Sequence, residues 1–244
     1  MSAGPVASET NPGTPLAEHF TRTYFDLRIG IAVLGAALPV MLWLGGSILD
    51  GDPLRSSMSA YYYSPSMRNV FVGVLVAIGL CLVLYRGFST PENRALDVGG
   101  LLAVGVAMVP TSAPGEGPTS RATLHAIMAI LFFACIGYVC IWRASDTLSL
   151  IRDTRTARKL RATYRALGVA MVLSPLVAVA IATLVGSSSL VFLVEAAGVW
   201  TFAAYWSVKS YEMHVSDAEQ LAMEGKLATT PRREVPGRMI QVVR

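Results

Sequence analysis

Residues 166–194 read ALGVAMVLSPLVAVAIATLVGSSSLVFLV, 29 positions without a charge between Arg165 and Glu195. A helix that crosses about 30 Å of hydrocarbon needs about 20 mainly apolar residues. The run is therefore too long for one crossing and too short for two. Gly186-Ser187-Ser188-Ser189 supplies the break, since small and hydroxyl residues between apolar runs mark a turn. One helix is expected over residues 164–185 and another over 189–209, the second with Glu195 inside it.

Working outward, four more apolar windows precede this pair, predicting helices over about 29–49, 69–86, 96–113 and 124–143. The third is rich in Gly and runs into Pro110, so a four- or five-helix version with a re-entrant third segment is the competing reading. The whole chain agrees with the local count. It has 244 residues, 53% hydrophobic and only 15% charged, with a mean hydropathy of +0.52. Soluble domains carry about 25% charged residues, so a water-facing surface cannot be assembled from this composition. Disorder and a three-cysteine disulfide scaffold fail for the same excess of apolar mass. The fold expected is an all-α, polytopic six-helix membrane bundle.

Lys and Arg in the short loops set orientation. With a cytoplasmic amino terminus, 17 of the 20 basic residues fall inside, and only Arg55, Arg68 and Arg121 fall outside. Both termini are then cytoplasmic. The expected organisation is a disordered tail over 1–22, the bundle over 23–210 and a second cytoplasmic tail over 211–244. Residues 1–20 are polar, so the first helix reads as an uncleaved signal anchor. The pI near 9.1 belongs to the cytoplasmic loops and not to a nucleic-acid surface. No phosphate loop, zinc-finger spacing or internal repeat is visible.

The run Ser57-x-Ser59-x-Tyr61-Tyr62, then Met67-Arg68-x-x-Phe71-Val72-Gly73 and Tyr85-Arg86-Gly87, resembles a family of bacterial six-helix integral membrane proteins. Pro110-Thr111, Arg158-Lys159-x-Arg161-x-x-x-Arg165 and Glu195-Ala196-x-x-x-Trp200-x-Phe202-x-x-x-Trp206-x-x-Lys209 fit the same pattern. The likeness covers about residues 25–210, and its layout is distantly similar to the damage-regulated autophagy modulator class. It implies a six-helix protein of the bacterial cytoplasmic membrane and brings no assigned activity with it.

Ionisable groups within spans default to a functional hypothesis. Glu195 is the first of these. Arg68, Arg121 and His125 stand at the same expected level, so the four form a candidate buried polar cluster, either a clasp between helices or a ligand and proton site. Ser57, Ser59, Tyr61 and Tyr62 are candidate outer-loop contacts, with the three tyrosines 61–63 suited to an aromatic belt. Ser57, His125 and Glu195 also make one serine, histidine and acid set on a single side. His19, His125 and His214 are split across the membrane, so no metal site and no cofactor is expected. Cys81, Cys135 and Cys140 read as small packing residues.

The loop over 143–165 carries seven basic residues against Asp146 and Asp153. Arg152, Arg155, Arg158, Lys159 and Arg161 are expected to contact anionic lipid, with Leu150, Ile151, Leu160 and Tyr164 seating a short interfacial helix. The partners expected are membrane lipids, with a membrane protein or a second copy possible, and no nucleic acid. The function expected is a non-enzymatic membrane module in an accessory, sensory or lipid-interacting role. Its rivals are a small proton-coupled carrier using Glu195, His125 and Arg68, and, third, a lipid-modifying enzyme.

Overall fold

The computed structural model describes residues 14–185, 189–223, 227–229 and 240–242. Seven helices follow in order: α1 (Thr14–Gly45), α2 (Arg68–Leu84), α3 (Thr90–Met108), α4 (Ser120–Tyr138), α5 (Thr154–Leu184), α6 (Ser189–Ser216) and the short α7 (Ala218–Met223). π turns at Gly46–Asp50 and Val139–Arg143 prolong α1 and α4, and a 3₁₀ turn spans Ser59–Tyr63. A two-stranded antiparallel pair, Leu227–Thr229 with Ile240–Val242, is the one departure from helix among the described elements. Among the described residues, four helices are long and apolar enough to cross a membrane: His19–Asp50, Ser120–Leu150, Thr154–Leu184 and Ser189–Ser216. Helix α2 is apolar but has 17 residues, and α3 carries Glu92, Arg94 and Asp97 in its first half. The protein is a helical one with membrane-compatible composition.

Helix ends differ from the expected ones in a consistent direction. Residues 14–22, expected as disordered tail, belong to α1, while residues 1–13 lie outside the described part. Helix α5 starts ten residues before 164, and α6 runs seven beyond 209 into the expected tail. The reason is that Arg, Lys and Glu end an apolar window without ending a helix, being good helix formers. Real starts are set by caps. Ser89 accepts from Glu92 N at 3.4 Å ahead of Pro91, Thr119 accepts from Ala122 N at 3.2 Å, and Asp153 accepts from both Arg155 N and Thr156 N. The expected turn at Gly186-Ser187-Ser188 falls outside the described residues.

The first six helices run alternately up and down, so one end of the bundle gathers residues 46–67 and 109–119 (the loop end). The other gathers the start of α1, the end of α6 and residues 144–153 (the tail end). Without a hydrophobic drive between helices in lipid, close packing of small residues must hold such a bundle. Helices α2 and α3 meet at Gly79 and Gly100, where an added Cβ would lie 2.6 Å and 2.5 Å from the opposing carbonyl oxygens. Helices α4 and α5 cross at Gly137 and Gly168, each within 3.2 Å of the other's carbonyl by the same measure. Gly73 meets nothing within 4 Å, so its spacing with Ala77 marks no packing seam. An edge-to-face train of rings, Tyr24–Tyr85–Trp206–Tyr205–Tyr164, ties α1, α2, α6 and α5 together below these crossings.

Candidate functional site

At the loop end, the segment between α1 and α2 folds down as a cap on the bundle. Asp50 accepts from Ser64 Oγ and from Ser66 N, and Arg55 pairs with Asp52. Ser56 O accepts from Phe192 N at 3.1 Å, and Tyr63 OH donates to Thr111 O at 2.6 Å. Glu195 completes the tether: its Oε2 accepts from Met58 N at 2.6 Å. Tyr61 is buried against Phe192, with ring centroids 5.9 Å apart, and abuts the Cα of Gly46 so closely that a Cβ there would lie 2.7 Å from its ring. Tyr61 is thus a core residue and not part of an aromatic belt. Burial pushes its phenol above the ordinary value.

Beneath the cap lies a cavity of about 300 Å³. Its polar wall comes from Ser57, Ser59, Thr111, His125 and Glu195, and the rest is almost wholly apolar, reaching Phe132 and Phe133. The expected four-member cluster is therefore split. Glu195 and His125 share the cavity, while Arg68 is exposed, 4.4 Å over the ring of Tyr62 and bonded to its hydroxyl at 2.8 Å, and Arg121 is exposed at the start of α4. Among the described residues Glu195 forms no ion pair. The serine–histidine–acid geometry is not assembled either. His125 Nδ1 donates to Val109 O at 2.7 Å, where Pro110 ends α3, and Ser57 Oγ pairs with Ser59 Oγ at 3.1 Å and accepts from Ala60 N. Ser57 and Ser59, singled out for the outer loop, do face this cavity; Tyr62 stays with Arg68.

The tail end holds what the sequence reading missed. Lys209 and Glu212, 2% and 0% exposed, pair at 2.9 Å on one face of α6. Lys209 Nζ also donates to Thr147 Oγ1 at 3.0 Å and Ala144 O at 3.3 Å, and Glu212 accepts from the Thr147 and Tyr164 hydroxyls. Arg28 of α1, 1% exposed, forms a two-pronged ion pair with Glu219 of α7 and donates to Ser210 Oγ. The signal was available as Lys-x-x-Glu at 209 and 212, one turn apart, with Lys209 at the expected end of the sixth helix and Glu212 in the expected tail. Glu92, expected in an exposed loop, is buried and accepts from Phe88 N at 2.9 Å. Arg86 and Asp97 form an exposed pair at 2.9 Å.

The basic stretch also changes character. Arg152, Arg155, Arg158, Lys159 and Arg161 are all exposed, whereas Ile151, Leu160 and Tyr164 are buried in the main core. No separate interfacial helix forms, because the apolar face is already used by the protein. Asp153 caps this end of α5, and the Thr156 hydroxyl and backbone donors hold its carboxyl below the ordinary range. The three cysteines are free thiols, and no group of three metal-ligating side chains occurs among the described residues. No family model, curated protein or solved structure matches the chain.

Proposed function

We propose that this chain is a six-span module of a bacterial cytoplasmic membrane, with both termini inside and a non-enzymatic, lipid-interacting role. The observation that carries the reading is the charge partition. Among the described residues, 12 Arg and Lys lie toward the tail end, from Arg22 and Arg28 of α1 through Arg86, Arg94, Arg143 and the row from 152 to 165 to Lys209 of α6, against Arg55, Arg68 and Arg121 at the loop end. The exposed Arg and Lys row from 152 to 161 then lies against an anionic leaflet, where each such side chain contributes on the order of 1 kcal/mol. The likeness to the bacterial six-helix family agrees with this placement. A membrane protein partner or a second copy would meet the exposed apolar faces of the helices.

Reporter fusions test the arrangement. Alkaline phosphatase joined after Glu116 is expected to be active, and joined after Arg155 or Lys226 inactive; activity at Arg155 would overturn the six-span assignment. A carrier remains the second reading because Glu195 and His125 face one cavity. It requires transport that is lost in Glu195→Gln, without help from Arg68.

A further inference from the structure

Helices α4 and α5 touch at Gly137 and Gly168, and nearer the loop end residues of both helices line the cavity. Pro175 lies inside α5 at this level, with Ser174 Oγ turned back onto Met171 O at 3.2 Å. Beyond it, Ala122 and Ala126 of α4 and Ala178 and Ala182 of α5 line the cavity instead of packing on each other. Val179 and Ala182 are exposed, so the cavity borders on the surface that the membrane reading assigns to lipid. Its polar wall offers hydroxyls, an imidazole and a carboxylate, and no Lys or Arg lines the cavity among the described residues.

From this geometry we infer that the cavity between α4 and α5 is a binding site for a single-chain, uncharged, hydroxyl-headed amphiphile that enters sideways from the bilayer. The chain occupies the alanine-lined gap and contacts Phe132 and Phe133 below. The hydroxyl reaches the Glu195, Ser57 and Ser59 group. A phosphate or carboxylate head is selected against, because it would be taken out of water with no Lys or Arg in the lining to offset its charge. At about 300 Å³ the space is at the small end of ligand pockets, which suits one chain and not two. The inference rests on the membrane reading but not on its orientation, so the reporter fusions and the following experiment fail independently.

The full chain in phosphatidylethanolamine–phosphatidylglycerol nanodiscs is photolabelled with a diazirine-bearing decanol, and adducts are mapped by peptide mass spectrometry. Adducts are expected within residues 122–133 and 174–182. Excess decanol should lower them about tenfold, while decyl phosphate lowers them less than about twofold. Ala126→Trp fills the gap, and Ala182→Phe narrows its exposed rim at a position where folding is not at stake. Both should cut labelling about fivefold or more. Ala180→Trp, exposed and away from the cavity, should leave it unchanged. Competition by decyl phosphate equal to that by decanol, undiminished labelling in Ala182→Phe, or adducts spread evenly over all the apolar helices would each overturn the proposal.

Discussion

Replacing Lys209 by Met tests whether the tail-end ion pair holds the bundle. Lys209 Nζ lies 2.9 Å from Glu212 Oε2, both side chains essentially without solvent. At an effective dielectric constant of about 20, that separation corresponds to about 6 kcal/mol of attraction. Desolvation offsets much of this in the intact pair. Removing one member leaves the carboxylate buried with only the Thr147 and Tyr164 hydroxyls, a loss of about 3–5 kcal/mol. For a chain of this size that is about 6–20 °C in thermal midpoint. Thermal unfolding in dodecyl maltoside, followed by far-UV circular dichroism, measures it. The double replacement Lys209→Met/Glu212→Met should fall no further than Lys209→Met alone, since no orphaned charge remains. Arg158→Met, fully exposed, should stay within about 0.5 kcal/mol. A Lys209→Met midpoint within 2 °C of the parent, or a double variant as low as the sum of the single ones, would refute the argument (both figures being about the scatter of surface substitutions).

Glu195→Leu should loosen the cap, which Ser56 O and Tyr61 still hold to Phe192, by leaving Met58 N without its acceptor at a cost of about 1–3 kcal/mol and by speeding limited proteolysis between residues 51 and 60; Glu195→Gln, which still accepts from Met58 N, should be milder. Gly79→Ala should drive a methyl against the Gly100 carbonyl and cost about 1–3 kcal/mol, whereas Gly73→Ala, with open space around it, should match or exceed the parent in the same melts. Exchanging Arg155, Arg158, Lys159 and Arg161 for Gln should remove on the order of 4 kcal/mol of attraction to an anionic leaflet, seen as loss of co-purifying phosphatidylglycerol with phosphatidylethanolamine retained.

The bundle was legible in the sequence because apolar windows and basic loops are long-range patterns that survive errors of a few residues. The ends of α1, α5 and α6 were not, since hydropathy records where lipid-compatible side chains stop and a helix obeys hydrogen-bond capping instead. Ser89-x-x-Glu92 and Asp153 held that information in plain view. At the cavity, the residue types were found but their pairing was not: Arg68 satisfies its charge on the face of Tyr62, and Glu195 takes a backbone amide that no side-chain pattern announces. The buried Lys209–Glu212 pair was hidden for a related reason. A charge near a helix end looks solvated until the packing of α5 and the residues 144–148 around it is known.

The Arg28–Glu219 ion pair joins residues 191 positions apart. In biogenesis this gives the chain a late closing step: α1 emerges from the ribosome carrying an arginine whose partner is synthesised only after every other long helix. Until α7 is made, Arg28 lacks the carboxylate that offsets its burial, although Ser210 of α6 can already accept from it. A chain that ends before Glu219 is therefore expected to melt below the full chain.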